Sequence, residues 1–411
     1  MSRLDKAIAD NLDQIVTIRH DLHAHPELGY AEKRTSSVVV SELDKAKIQH
    51  APGLAGGTGV LAYLPATTVS PETAATIALR ADMDALPIKE NTGKPYSSQN
   101  PGVMHACGHD GHTSILIGAA KVLAEAERPN NILLLFQPAE EGGAGGKRMC
   151  EDGALDGKVL GRPVDRIFGL HGSPLIHVGQ IATRKGAMLA SADGFEIRVK
   201  GKGGHAAMPH FGIDPIVAAS HIVVTLQTIA SRNISPLDSI VVTIGQVQAG
   251  SASNIIPDEA LIVGTLRTLN MTTRELGQRR IREIAASVAE ALGAETSISW
   301  LYGYPVTWND PVATAEFREA VGPAFGDLLV AEDVEPVMGA EDFSFYAEKV
   351  PACFYWLGLL PTGEQRYPNL HAAEFDFNDD AIPFGVRAMC SLALSEYKGL
   401  EAGRRELAAR V

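Results

Sequence analysis

Through the first 140 residues, short runs in which almost every position is apolar alternate with stretches whose apolar residues recur every three or four positions. The runs GTGVLAYL (57–64), ATIALRAD (75–82) and NILLLFQP (131–138) have the length and β-rich composition of buried strands, and residues 5–22, 31–49 and 111–127 carry the helical period. The alternation predicts an α/β domain, a mixed sheet covered by helices. Residues able to do chemistry follow the strands directly: Asp82 after IALR, Glu140 and Glu141 after LLLFQP, His171 after RIFGL. Open α/β sheets bind ligands beyond the carboxyl ends of their strands, so these positions mark the expected site.

From about Gly186 the pattern changes to strand 194–201, helix 214–231, strand 239–247, strand 259–268, helix 272–292 and strand 295–302. That β-α-β-β-α-β order is the ferredoxin-like arrangement, complete in itself. The α/β pattern resumes near 304 and closes with a helix at about 379–398. The chain therefore divides into a discontinuous catalytic domain, 1–185 with 304–411, and an inserted α+β domain, 186–303. A cleft between them is the expected place for a ligand.

Composition narrows the classes. At 45% apolar and 21% charged residues the chain has ordinary globular usage, with no apolar run near the ~20 residues of a membrane span. The start, MSRLDKAIADNLDQIV, reads as an amphipathic helix and not as a secretory signal. Four cysteines, Cys107, Cys150, Cys353 and Cys390, lack a framework spacing, which points to a reducing compartment, the cytoplasm. A formal charge of −13 removes long-range attraction to nucleic acid or anionic membrane, so an anionic substrate must be held by local cations.

The densest chemistry lies in His105-Ala-Cys-Gly-His-Asp-Gly-His112, with one thiol, one carboxylate and three imidazoles. Thiolate with imidazole favours zinc, cobalt, nickel or manganese over calcium or magnesium, although a polar helix start has the same composition. Pro138-Ala-Glu-Glu-Gly-Gly-Ala-Gly-Gly146 puts two carboxylates on a glycine-rich turn. One could bind a metal while the other takes a proton from water; a solvated acidic loop is the alternative. His171 and His371 are each ordinary alone. Asp82 either accepts a hydrogen bond from a ligating imidazole or caps a turn, with Asp84 two residues on. His205, in GKGGHA, reads as a loop histidine, and Arg267 with Asn254 either holds a substrate carboxylate or joins surface ion pairs.

Taken in order, HACGHDGH, PAEEGGAGG, GLH, GKGGHAAMPH, GAEDFSFY and NLHAAEFDF resemble the aminoacylase and carboxypeptidase family of dinuclear metallohydrolases. Within it the branch resembled is that of hippurate hydrolases and plant indoleacetyl-amino acid amidohydrolases. The likeness runs from RHDLHAHPELGYAE at 19–32 to residues 369–377. It implies a metallopeptidase-like catalytic domain with an inserted lid and dimerisation domain, and two divalent ions (zinc, manganese, nickel or cobalt) on Cys107, His109, Glu141, His171 and His371, with Cys107 bridging. It further implies Glu140 as general base, Asp82 as partner of a ligand, His205 as the group polarising the scissile carbonyl, and Asn254 and Arg267 on the substrate carboxylate. In several relatives the equivalent of His205 comes from a partner subunit. Many members have a histidine ligand where this chain has Arg80, so the cysteine-using branch fits. His105 and His112 are then expected as hydrogen-bonding partners, His23 and His25 as structural, and Cys150, Cys353 and Cys390 as core residues.

The activity implied is hydrolysis of an N-acyl-amino acid, hippurate-like or N-acetyl, to a carboxylic acid and a free amino acid. A dipeptidase or carboxypeptidase, an N-acetyl-diaminopimelate-type deacetylase and a non-catalytic metal-binding relative are the alternatives. A homodimer or higher homo-oligomer through the lid domain is expected, with no nucleic-acid or membrane partner.

Overall fold

The computed structural model describes residues 2–331 and 333–397 and falls into two compact units. The first contains the described residues up to Gly186, those of Trp308–Glu335, and those from Asp342 onward; the second contains Ala187–Thr307 and Pro336–Glu341. The short segment 336–341 is the departure from the sequence-based division. It joins the second unit because the Ala190 N–H is bonded by the carbonyls of Val337 and Gly339.

The first unit is built on a seven-stranded sheet in the order Gln49–Leu54, Gly59–Leu64, Asn131–Gln137, Thr76–Asp82, Arg166–His177, Ala352–Leu360, Ile181–Ala182. The four strands from Asn131–Gln137 to Ala352–Leu360 run parallel and the flanking ones antiparallel. Every residue of Thr76–Asp82 and Asn131–Gln137 is buried, as expected of parallel strands covered on both faces. The helix His109–Ala124 is apolar nearly all round and packs between Arg3–Ala24 and Ile382–Leu394.

Three local readings of the sequence change. The helix expected to reach residue 49 stops at Lys45, because Lys47 turns left-handed (φ 55°) and releases Gln49–Leu54 as an edge strand. The strand expected to end before His171 runs through it to His177. The last helix covers Ile382–Leu394, and position 398 lies outside the described residues.

The second unit is a four-stranded antiparallel sheet, in the order Ile240–Ala249, Glu259–Thr268, Ser191–Lys200, Glu295–Tyr302. Helices Pro215–Leu226 and Met271–Ala291 cover one face through Phe195, Ile197, Leu266, Ile222 and Ile281. Asp214 and Asn270 cap them by accepting the N–H groups of Ile216 and Thr273.

Candidate metal centre

Cys107 stands on the turn that opens the helix His109–Ala124, and the turn's shape is fixed from outside. Gly108 is left-handed (φ 88°), and a Cβ there would come within 2.9 Å of the Phe377 ring, so only glycine fits between Cys107 and His109. Six residues before Phe377, the left-handed His371 (φ 64°) donates its N–H to the Ala106 carbonyl at 2.8 Å. The HACGHDGH and NLHAAEFDF segments are thus mated by one hydrogen bond and one ring.

The five residues expected as ligands meet here. Donor atoms of Cys107, His109 and His171 lie within 4.8 Å of one another, and so do those of Cys107, Glu141 and His371. Cys107 belongs to both triads. His171 Nδ1 bonds with the Gly172 carbonyl, which turns Nε2 to 3.3 Å from the Cys107 sulfur. His109 Nδ1 lies 2.9 Å from the Asp84 carbonyl, and its fully buried Nε2 makes no hydrogen bond among the described residues. His371 Nε2 lies 3.0 Å from Glu141 Oε1.

Electrostatics test whether this set fits a cation. Burial pushes the Cys107 thiol well up, and Glu141 and Glu140 push it further. Burial, then His112, pushes His171 down to about 3, so its ring is neutral. Burial works against charge on His109, but Asp82 and Asp84 outweigh it and raise the ring to about 10. Soft and borderline donors therefore share a buried space with two glutamates, and a thiolate forms there only beside added positive charge. That donor set suits divalent transition ions.

Asp84, noted in the sequence beside Asp82 but given no role there, proves central to the site. Its carboxylate accepts the backbone N–H groups of Glu140 and Glu141 at 2.9 and 3.0 Å and lies 3.3 Å from His109 Nδ1. Glu32 takes the N–H of the preceding Ala139, itself left-handed (φ 53°), so two carboxylates bend the turn that aims both glutamates. The signal was present in the repeated acid of RADMD, but nothing in the sequence tells which aspartate faces which imidazole.

Asp82 lies 3.6 Å from His109 Nε2, while its short bonds go to His112 Nδ1 and Arg80 Nη1, both at 2.7 Å. His112 Nε2 accepts the Gly172 N–H, which occupies both ring nitrogens. Arg80 also reaches Gln137 and Asp342, and the Asp342 N–H donates to Glu140 Oε1 at 3.3 Å. His105 departs from expectation: it is fully buried, and neither nitrogen finds a hydrogen-bond partner among the described residues. Behind it His23 sits between Asp110 and Glu90, at 2.9 and 3.2 Å.

Comparison with known proteins gives this geometry its setting. The model of peptidase family M20/M25/M40 matches residues 78–395. The chain belongs to that family. It is 42% identical to the N-acetyl-L-cysteine deacetylase of Bacillus subtilis, over 86% of this chain and 82% of that protein. To an Arabidopsis thaliana IAA-amino acid hydrolase, ILR1-like 5, it is 39% identical over 93% and 87%. A solved Bacillus subtilis structure described as a dinuclear metal-binding M20 peptidase superposes with a TM-score of 0.79 at 34% identity, covering 94% of this chain and 98% of that one. The chain is a metal-dependent amidohydrolase of the M20 kind.

The second unit of this M20 chain carries the other three expected site residues. His205 and Asn254 are neighbours: Gly204–His205 pairs with Ile255–Ile256, and the Ala206 N–H donates to the Asn254 carbonyl at 3.1 Å. His205 Nδ1 accepts the Ala207 N–H at 3.1 Å, which leaves the proton on Nε2. Arg267 is not with them. It lies eight residues along its strand from Glu259, near which the His205 ribbon leaves the sheet, about 26 Å at ~3.3 Å per residue. The expected joint grip of Arg267 and Asn254 is therefore not formed within one unit, because register sets them at opposite ends of it. Among the described residues Arg267 has no ion-pair partner and donates only to the Leu266 carbonyl, whereas the buried Arg19, Arg80, Arg166 and Arg274 all pair with carboxylates. No helix among the described residues is long and apolar enough to cross a membrane.

Proposed function

We propose that this protein hydrolyses the amide bond of N-acyl-amino acids, releasing a carboxylic acid and a free amino acid. The observation that carries the reading is the Cys107 sulfur common to two ligand triads, with Glu140 beside them. Cys107, His109, Glu141, His171 and His371 hold two divalent ions of the zinc, manganese, nickel or cobalt type. When bound, these ions polarise the scissile carbonyl and acidify the attacking water. Glu140 takes that water's proton and returns it to the amide nitrogen as the C–N bond breaks. The Asp342 N–H steadies Glu140, and Asp84 fixes the backbone on which it stands. His205 donates its Nε2 proton to the oxygen that gains charge. Arg267 grips the substrate carboxylate in a bidentate fork.

A single small substrate held by Arg267 of one chain cannot also reach that chain's own His205 and Asn254 across the length of the sheet. A second copy supplies them, and the working enzyme is a homo-oligomer. The four unpaired cysteines suit a reducing cytoplasm. Both parts are tested by mixing inactive variants. Glu140→Gln and His205→Ala chains, each inert alone, should recover roughly a quarter of wild-type activity when co-assembled as two-fold dimers. No recovery from a mixed assembly confirmed by mass would place His205 in its own chain's site. Wild-type protein that turns over no N-acyl-amino acid after metal loading would remove the function itself.

A further inference from the structure

The helices of the second unit cover one face of its sheet, and among the described residues of that unit no helix covers the other, so alternate residues form a partly exposed floor around Arg267. The register defines it. Val241 and Ala192 flank Arg267, and in the next row Thr265 adjoins Gly194, which adjoins Leu301. Leu301 is 76% exposed and Val241 40%. Apart from Arg267 neither row carries a charge. The first acid on this face is Glu196, two rows from Arg267, and the next base is Arg198, three rows away.

We propose that this floor receives the side chain of the substrate's amino acid and selects apolar ones, an inference that rests on Arg267 holding the carboxylate. A carboxylate seated on the guanidinium fixes the attached Cα over the two rows, and its side chain then lies against Gly194, Leu301, Val241 or the Thr243–Thr265 pair, none of them charged. An apolar side chain covers Leu301 and Val241 from water. An acidic one finds no second cation within reach, and a basic one is set against Arg267 itself. At Gly194 a Cβ would lie 3.5 Å from the Leu301 Cβ, so the missing side chain leaves space that a substrate group can fill.

The experiment compares N-acetyl-leucine, N-acetyl-methionine, N-acetyl-glutamate and N-acetyl-lysine on the metal-loaded full-length enzyme. The wild type should favour the apolar pair in kcat/KM by roughly 100-fold or more. Leu301→Lys should move the leucine-to-glutamate ratio toward glutamate by at least about 30-fold, and Gly194→Val should disfavour leucine relative to N-acetyl-glycine. Equal handling of leucine and glutamate by the wild type, or Leu301→Lys changing both alike, would overturn the inference. If Arg267→Ala discriminates between a carboxylate substrate and its amide while the Leu301 variant moves no ratio, the clamp stands and the floor falls. If Arg267→Ala makes no such distinction, the clamp itself is wrong and the floor goes with it. Leu301→Lys that only splits an oligomer, with selectivity intact, would assign this face to a second copy of the chain and also defeat the proposal.

Discussion

In the first unit nearly every residue of the candidate centre is gripped by a second residue, whereas in the second unit the groups proposed to meet a substrate stand in or near solvent. His109 is held by Asp84, His171 by the Gly172 carbonyl, and Glu140 and Glu141 through their backbones by Asp84. His205 and Asn254 are exposed, and Arg267 is half-buried with no carboxylate partner among the described residues. Buried polar groups are costly unless bonded, so the first region must be organised before any ligand arrives. The second can wait for its partner. On the proposed reading, the metal ligands and the base are thus organised within one unit, while the groups that meet the substrate are completed on binding.

The largest effect should come from the first region. Glu140→Gln should lower kcat by about 10²–10⁴ while metal content by elemental analysis stays near normal; a variant keeping a tenth of the rate would deny Glu140 the proton transfer. In the second region, Arg267→Ala should cut kcat/KM for a carboxylate substrate by roughly 10²–10³ and for its neutral amide far less. Equal losses would erase the contrast between the regions. Asp84→Ala probes the support and not the ligands: metal affinity and kcat should each drop by about 10–100-fold, as for other residues that orient ligands. Unchanged metal affinity in a titration would show that the cluster needs no such scaffold.

The smallest effect is on stability. His23 is raised to about 9, because Asp110 and Glu90 outweigh the cost of burying its charge. Its contribution, on the order of 3 kcal/mol, is therefore complete below pH 6.5 and lost as the pH climbs through 9. Urea unfolding of the wild type should weaken across that window, and His23→Gln should flatten the slope.

Much of this was legible in the chain. The strand runs and the ferredoxin-like order depend on local periodicity, whereas the five expected ligands were gathered by the family resemblance, since His171 and His371 are each ordinary alone. What failed depends on long-range pairing. The strand Ala352–Leu360 is bounded by Pro351 and by Pro361-Thr-Gly363, but its place in the sheet comes from its distant partner Arg166–His177. Asp84 and Asp82 look alike in the sequence, yet one meets His109 and the N–H groups of Glu140 and Glu141 and the other His112 and Arg80. Arg267 and Asn254 sit 13 residues apart in sequence, yet they part company because the strand between them is fully extended.

The bond between His371 and Ala106 carries a consequence for biosynthesis. The two halves of the centre are about 260 residues apart, which at ~5–20 residues per second separates their emergence from the ribosome by roughly 13–50 s. During that interval the contiguous stretch Ala187–Thr307 is made whole and can fold, while Cys107 and His109 wait without His371 and without the Phe377 ring that shapes their turn. On the proposed ligand set, a nascent chain that ends before residue 371 carries the whole Cys107, His109 and His171 triad but only two members of the Cys107, Glu141 and His371 one, so its two ion positions are gripped unequally until the last quarter of the chain is made.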